Sequence, residues 1–380
     1  MLRERYFKEI VSQFRVHSVC AILGPRQAGK TTLAKMYTEE YLKGDAIFFD
    51  LENPIDLSRL ENPMLALKDV EHSLIVIDEI QLRPDLFKVL RVIVDMVTTK
   101  HKFLILGSAS RDLIQQSSET LAGRIGYIEL PPFALFEVHD SAKLWIRGGF
   151  PRSYLAETED DSFGWRRGYI KTFLERDIPN LGFNIPPVQL RRFWMMLTYY
   201  HGQTINFSEI ANSMMISDNS ARRYLEILAG TFMIRILQPW YENIRKRQVK
   251  SPKIYFRDSG ILNALLGIKD KTELYNNPKL GAFWEGYALE EIIKFLNIDT
   301  EEAFFWATQA DAELDLFIIK DGKRLGFEFK YSDAPKTTKS MHSALNDLKL
   351  DTLYIIYPGD QKFQIREKMI VCGLKNFVEK

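Results

Sequence analysis

The sequence predicts an α/β protein: a parallel sheet flanked by helices, then a helical and winged stretch, then a second, smaller α/β unit. Three observations carry that expectation. Short apolar runs alternate with helical segments up to about residue 130. The strand rhythm stops after Pro131-Pro132. A new strand-hairpin pattern starts beyond residue 300.

The elements follow in order. Arg3 to Phe14 reads as a short amphipathic helix ahead of the first strand, Val19 to Leu23. Further apolar strands are expected at Ala46 to Asp50, Leu74 to Ile77, Phe103 to Leu106 and Tyr127 to Leu130, with helices between most of them, notably Pro84 to Thr98. Alternation of this kind implies a parallel sheet with helices on both faces. An aromatic and arginine-rich helical stretch then runs to about Leu181, and Pro186-Pro187 marks another break. From Phe207 to Trp240 the order becomes helix, turn, helix, strand. Ser208-Glu209-Ile210-Ala211 starts one helix, and Ser217 to Ser220 offers caps for a second bearing Ala221, Tyr224, Leu225 and Leu228 on one face. Ile234 to Leu237 and Lys253 to Phe256 are expected to pair as a wing. The end segment reads as a helix from about Gly281 to Leu296, a hairpin, another helix and a strand near Leu353 to Tyr357. The expected divisions are 1–135, 136–190 (a helical lid or linker), 191–268 (a winged helix-turn-helix) and 269–380.

At 380 residues, 46% hydrophobic and 27% charged, the chain has the composition of an ordinary globular protein with ample core. Its start, Met-Leu-Arg-Glu-Arg-Tyr-Phe-Lys-Glu, is too charged for a secretory leader, and no apolar run approaches the ~18 residues of a membrane helix. Cys20 and Cys372 lie in apolar surroundings, as reduced thiols do. A cytoplasmic protein without membrane partners is expected. The formal net charge of +1 requires any nucleic-acid surface to be a local patch.

The sharpest motif is Gly24-Pro25-Arg26-Gln27-Ala28-Gly29-Lys30-Thr31-Thr32. It fits G-x-x-x-x-G-K-[ST], between a strand and a helix, where backbone N–H groups and a helix N-terminus can surround phosphate. Gly24, Gln27, Ala28, Gly29, Lys30, Thr31 and Thr32 are the expected nucleotide-binding residues. Lys30 would reach the β- and γ-phosphates and Thr31 would ligate Mg²⁺. The strand Leu74 to Ile77 ends in Asp78 and Glu79, the first placed to hold Mg²⁺ and the second to polarise an attacking water. Ser108, closing the fourth strand, would sit beside the γ-phosphate. Arg124 is either an arginine that reaches a neighbouring subunit's γ-phosphate or a surface salt bridge.

These stretches, with Ile80-Gln81, Leu121-Ala122-Gly123-Arg124 and Gly148-Gly149-Phe150-Pro151, resemble the motif series of a prokaryotic AAA+-type ATPase family whose C-terminal domain is of unknown function. The resemblance continues through Phe256-Arg257-Asp258-Ser259-Gly260 and Phe283-Trp284-Glu285 to Glu328-Phe329-Lys330, over nearly the whole chain. It implies an ATPase core, a winged helix and a nuclease-like end domain. The Gly-Gly-Phe-Pro stretch also resembles the lid motif of ATPases that act as signalling switches.

The end domain can be read from its own residues. Lys320-Asp321-Gly322-Lys323 is a hairpin turn, which sets Lys320 opposite Lys323, Asp315 opposite Glu328 and Glu313 opposite Lys330. Facing carboxylates destabilise a sheet unless a cation lies between them. Glu285 shares a helical stripe with Leu289, Ile292 and Leu296 and so points to the core side. Helix Glu, strand Asp and strand Glu-x-Lys resemble the PD-(D/E)XK nuclease constellation. In that reading Glu285, Asp315 and Glu328 hold Mg²⁺ or Mn²⁺ and Lys330 activates the water. A degenerate relative without chemistry, or a plain Glu313–Lys330 ion pair, are the alternatives.

For DNA, Arg222 and Arg223 lie on the second helix of the pair, and Arg245, Lys246, Arg247, Lys250 and Lys253 on the expected wing tip. Such a wing contacts phosphates without reading sequence. Tyr199-Tyr200-His201 reads as core packing. The expected activity is ATP binding and hydrolysis with ATP-regulated, metal-dependent DNA processing. The alternative is a nucleotide-controlled switch, or a DNA- or partner-binding ATPase, whose end domain is structural. ATP with Mg²⁺ (or Mn²⁺) is the expected cofactor, DNA the expected partner, and a homo-oligomer follows if Arg124 acts in trans. A metabolite kinase is disfavoured, because the additional domains suit macromolecules better.

Overall fold

In the computed structural model, residues 3–96, 101–110, 121–241, 250–308 and 312–379 are described. Their contacts form two units. The first comprises Met1–Pro132 together with Arg176–Asn184 and Gly230–Phe232. Its sheet contains β1 (Val19–Leu23), β2 (Ala46–Asp50), β3 (Leu74–Asp78), β4 (Lys102–Gly107) and β5 (Ile125–Glu129), in the order β2-β3-β4-β1-β5. Every neighbouring pair is parallel. Strands covered on both faces need apolar side chains in both directions, which is why β1 and β3 read as unbroken hydrophobic runs. One face packs Phe49, Ile75 and Phe103 against Phe87 and Leu90 of helix Leu86–Val94. The other packs Ile22, Val76 and Leu104 against Tyr6, Phe7 and Ile10 of helix Glu4–Val16, and against Leu33 and Tyr37 of helix Lys30–Leu42. The helix expected over Pro84 to Thr98 is the shorter Leu86–Val94, and Thr98 lies outside the described residues.

The second unit comprises Phe133–Glu175, Ile185–Ala229 and Met233–Lys380. One nine-stranded sheet runs through it in the order β13-β14-β12-β11-β10-β9-β7-β8-β6. Its strands are β6 (Gln203–Thr204), β7 (Ile234–Pro239), β8 (Lys253–Phe256), β9 (Ala303–Ala307), β10 (Glu313–Lys320), β11 (Lys323–Phe329), β12 (Thr352–Tyr357), β13 (Lys362–Arg366) and β14 (Met369–Gly373). The segments 191–268 and 269–380 therefore share a sheet. The joint is a short parallel ladder between β7 and β9, Gln238↔Phe304 and Pro239↔Phe305.

β7 and β8 pair antiparallel from Ile234↔Phe256 to Leu237↔Lys253, following helices Phe207–Met214 and Asp218–Gly230. The β10–β11 hairpin keeps the expected register, from Leu316↔Phe327 to Lys320↔Lys323. Its two turn residues, Asp321 at φ 50° and Gly322 at φ 73°, adopt the left-handed backbone of a two-residue hairpin. On the β9 side the register shifts between Leu314 and Phe317, and the β11 ladder runs from Leu316 to Lys320, so the expected Asp315–Glu328 and Glu313–Lys330 pairs lie beyond its paired residues. No helix of the described residues is long and apolar enough to cross a membrane.

Two sequence motifs turn out to be one joint within this unit. Asp258 caps helix Ser259–Leu266 by accepting from Ile261 N (2.9 Å), and its other oxygen accepts from Gly149 N (2.7 Å). A Cβ on Gly149 would fall 2.1 Å from the Phe133 carbonyl oxygen, so no larger residue fits that approach. The fully buried Arg166 then bridges the carbonyls of Ile146 (3.0 Å) and Gly260 (3.1 Å).

His201 is a core residue. It is 2% exposed, and its Nδ1 accepts the Phe256 N–H at 3.1 Å, which requires an unprotonated nitrogen there. Burial, with Lys279 adding to it, pushes the ring's pKa down to about 3. Below about pH 6.5 the unfolded chain takes up a proton that the folded chain refuses. Stability should therefore fall as pH falls from neutrality, by up to ~1.4 kcal/mol per pH unit from this group. His201→Gln keeps an acceptor without the titration. Urea unfolding between pH 7 and pH 5 is expected to show a shallower loss in that variant, and equal slopes would refute the assignment.

Candidate functional site

In a parallel sheet the strand C-termini and their loops gather at one edge, where ligands of open α/β sheets bind. The first unit brings its sequence motifs to that edge. The phosphate loop follows β1, Asp78 and Glu79 end β3, and Ser108 follows β4. Pairing holds these loops level, with Leu23↔Gly107 in register and Gly24 N donating to Gly107 O at 3.2 Å. Gly24 is required here, because a Cβ would lie 2.1 Å from the Leu130 carbonyl oxygen. Gly29 (φ 96°) and Gln27 (φ 64°) take left-handed backbone, the form that turns successive N–H groups into an anion-binding nest.

Lys30 is 5% exposed, and its ammonium donates to the carbonyls of Gly24 (2.9 Å) and Pro25 (3.0 Å). Burial lowers its pKa, with Glu79 and Asp78 working the other way. Thr31 Oγ1 donates to Asp78 Oδ2 at 2.5 Å. Burial raises the Asp78 pKa, and the Thr31 bond opposes that rise. A hydroxyl and a carboxylate in contact are an all-oxygen donor pair of the kind Mg²⁺ prefers, with phosphates and water left to fill its shell. This pair fits the expected metal.

Glu79 sits in left-handed backbone at φ 56° and is tied to Ser108, whose Oγ donates to Glu79 Oε2 at 3.1 Å. Gln81 completes that cluster. Its Nε2 donates to Ser108 Oγ (2.9 Å) and to Glu79, and its Oε1 accepts from Ser108 N (3.2 Å). Sequence reasoning assigned Gln81 no role, since a glutamine one short turn past a carboxylate pair carries no chemical pattern of its own. Asp177 was missed as well. It reaches the site from the separate segment Arg176–Asn184, pairing with Arg26 of the phosphate loop at 3.0 Å. Arg26 also donates to both oxygens of Glu52, at 2.8 and 2.9 Å.

Arg124 is placed elsewhere. It precedes β5, at the opposite end of the strands from the phosphate loop, and donates to both oxygens of Asp95 (2.6 and 3.0 Å). Within this chain it makes that surface salt bridge. Strand direction is the reason: the start of a parallel strand cannot lie at the edge where the others end.

The second unit assembles a carboxylate centre. Glu285 comes from helix Leu280–Leu296, Glu313 and Asp315 from β10, and Glu328 from β11. Lys330 donates to Glu328 Oε1 at 2.7 Å, and Phe329 N donates to Asp315 Oδ2 at 2.9 Å. Burial and the neighbouring Asp315 push Glu285 up to about 7 and Glu328 up to about 8. The sixth member is Lys253, which was expected at the wing tip. It is 5% exposed and its ammonium contacts Glu313, with Glu285 Oε1 at 3.6 Å and Asp315 Oδ1 at 3.9 Å. Glu313 thus pairs with Lys253 rather than with Lys330. Sequence could not show this, because the acids that claim Lys253 lie at least 32 positions further along the chain.

The nuclease resemblance implies Mg²⁺ or Mn²⁺ at this centre, and the residues do not fit one as arranged. Among the described residues, no group of three His, Cys, Asp or Glu side chains is disposed to hold a metal ion. An ammonium already lies among the carboxylates. Of the expected DNA-contacting residues, Arg222 and Arg223 are exposed on helix Asp218–Gly230, Arg222 stacking over Phe207 at 4.1 Å. Arg245, Lys246 and Arg247 lie outside the described residues.

Three family models match successive stretches of the chain. Residues 16–139 match an AAA domain, 138–272 a domain of unknown function (DUF8612), and 280–377 a domain of unknown function (DUF4143). The uncharacterized proteins Rv2008c of Mycobacterium tuberculosis and Mb2031c of Mycobacterium bovis are each 48% identical over 354 residues, covering 93% of this chain and 79% of theirs. Among solved structures, a Walker-type ATPase of Pyrococcus abyssi, PABY2304, aligns with 70% of this chain and 95% of its own. That likeness has 14% identity and a TM-score of 0.46.

The geometry makes Gln81 a positioning residue for Ser108 and Glu79. Gln81→Leu removes its hydrogen bonds, one of them to a carboxylate, where such bonds count for ~1.5–3 kcal/mol. ATP hydrolysis should fall by ~10–100-fold while nucleotide affinity stays within a few-fold of wild type. Steady-state hydrolysis beside equilibrium nucleotide binding checks this, and an unchanged rate would remove Gln81 from the site.

Proposed function

This chain belongs to the same family as the two mycobacterial proteins, and from that premise we propose that it is an ATP-hydrolysing, nucleotide-controlled switch. The observation that carries the reading is the meeting of Lys30, Thr31, Asp78, Glu79 and Ser108 at one edge of a parallel sheet. In this reading Lys30 leaves the Gly24 and Pro25 carbonyls for the β- and γ-phosphates, and backbone N–H groups from Gln27 to Thr32 surround the phosphates. Thr31 and Asp78 would hold Mg²⁺, which when bound draws charge from the phosphoryl oxygens. Glu79 orients and polarises the attacking water, and Ser108 faces the γ-phosphate. Arg124, exposed and remote from its own phosphate loop, is left to serve a neighbouring copy if the protein assembles.

Helices Phe207–Met214 and Asp218–Gly230 with β7 and β8 act in this proposal as a winged helix. Arg222 and Arg223, with Arg245, Lys246 and Arg247, would contact duplex phosphates as the output of the switch. A second reading, ATP-regulated DNA cleavage, draws support from one observation: Glu285 of helix Leu280–Leu296 lies near Asp315 and Glu328 of the C-terminal sheet, and Lys330 donates to Glu328.

One assay separates them. Purified protein is tested for ATP hydrolysis and for cleavage of linear, branched and single-stranded DNA with Mg²⁺ or Mn²⁺, beside Lys30→Ala and Asp315→Ala. The switch predicts hydrolysis that Lys30→Ala abolishes and Asp315→Ala spares, with every DNA intact. Cleavage that Asp315→Ala abolishes would establish the second reading. Wild-type protein that hydrolyses no ATP would overturn the first.

A further inference from the structure

The cation of the C-terminal carboxylate centre is part of the chain. We propose that the Lys253 ammonium is its resident cation and keeps divalent metal out, an inference that goes beyond the switch reading and does not depend on it.

The argument begins with strand periodicity. Positions 253 and 255 of β8 face the same side of the sheet. Lys253 brings an ammonium to Glu313, Glu285 and Asp315, and Tyr255 brings a hydroxyl that donates to Glu285 Oε1 at 2.6 Å. Both residues are buried, at 5% and 0% exposure. One short strand therefore delivers a charge and a directed hydrogen bond to the same carboxylate.

Three of the oxygens are also engaged, while Glu328 Oε2 is buried without a hydrogen-bond partner. Glu285 Oε1 accepts from the Tyr255 hydroxyl, Asp315 Oδ2 from Phe329 N and Glu328 Oε1 from the Lys330 ammonium. A divalent ion such as Mg²⁺ or Mn²⁺ wants several oxygens at close to 2 Å in a regular shell. To admit one, the centre would have to release these donors and expel an ammonium whose stem is buried. A buried lysine deprived of its carboxylates is strongly unfavourable, so the two cations compete for one place. Burial alone would lower the Lys253 pKa, but Glu285, Asp315 and Glu313 outweigh it and hold the group charged.

Four carboxylates face two ammoniums here, so removing Lys253 should leave an uncompensated acidic pocket with room for a cation. The test is Mn²⁺ binding by electron paramagnetic resonance on nucleotide-free, full-length protein, in an Asp78→Asn background that silences the phosphate-loop pair. With Lys253 present, no Mn²⁺ site is expected at the C-terminal centre. Lys253→Met should bind Mn²⁺ at least ~10-fold more tightly, and Lys253→Met/Asp315→Asn should lose that gain. Circular dichroism confirms that each variant folds. One equivalent of Mn²⁺ bound with Lys253 present, and lost on Asp315→Asn, would overturn the proposal. So would a folded Lys253→Met protein that gains no site. The Lys253-containing arm decides the matter even if Lys253→Met does not fold. ATP hydrolysis is measured separately on protein with Asp78 intact, where its absence would count against the switch and leave this inference standing.

Discussion

The second unit depends on a short seam. β7 and β9 meet through two parallel residue pairs, Gln238↔Phe304 and Pro239↔Phe305, and through those pairs the antiparallel β6–β8–β7 ribbon joins the C-terminal sheet. So brief a ladder needs reinforcement. Trp240 N donates to Phe305 O at 2.7 Å, and the Trp240 ring packs edge-on against Phe304 and Phe317. Behind β7, Arg235 meets both oxygens of Glu290 on helix Leu280–Leu296, one at 3.0 Å, with both side chains almost fully buried. Burying two charges gains little net stability, but removing either partner leaves the other stranded, at a cost of about 3–5 kcal/mol. The pair therefore fixes where the helix lies against the strand. Glu285, five residues earlier on that helix, and Lys253, on the strand beside β7, meet only because this seam holds.

That dependence explains what could be read in advance. Local chemistry was legible. The phosphate loop, the apolar runs of β1 and β3 and the Asp-Gly turn each declare themselves within ten residues, and the β10–β11 register follows from the turn alone. Glu285 also betrayed itself, as a carboxylate on an otherwise apolar helical stripe. Non-local pairings were not legible. Lys253 follows a run of basic residues and reads as one more solvent-facing charge until the sheet is closed around it. Asp177 lies in a helical stretch that gives no sign of returning to the phosphate loop. Arg124 is the reverse case: its motif left open an arginine acting in trans or a surface salt bridge, and within the chain it pairs with Asp95.

The two glycines of Gly148-Gly149 and the Asp258 motif show a related limit. Each stretch stands out in sequence as a family feature, and the first also resembles the lid motif of signalling ATPases. In the structure they form one hydrogen-bonded joint. Asp258 needs backbone N–H groups from two separate segments, and Gly149 supplies one only because it has no side chain to strike Phe133. A motif can mark a joint as readily as a site.

Two buried lysines among the described residues bring the electrostatics into one comparison. Lys30 and Lys253 have the same charge and the same 5% exposure, yet they stand in opposite conditions. Lys30 is held by neutral carbonyl oxygens, and burial wins over Glu79 and Asp78, so its pKa is lowered. It is a cation short of an anion, which in the proposed function a triphosphate supplies. Lys253 is held by carboxylates that overcome burial, so its pKa is raised. It is a cation already paired, and an incoming anion would have to compete with three acids. Desolvation is common to both sites; the character of the surrounding oxygens differs. By that criterion the chain keeps one charged site open for a ligand, at the phosphate loop, and closes the other with a residue of its own.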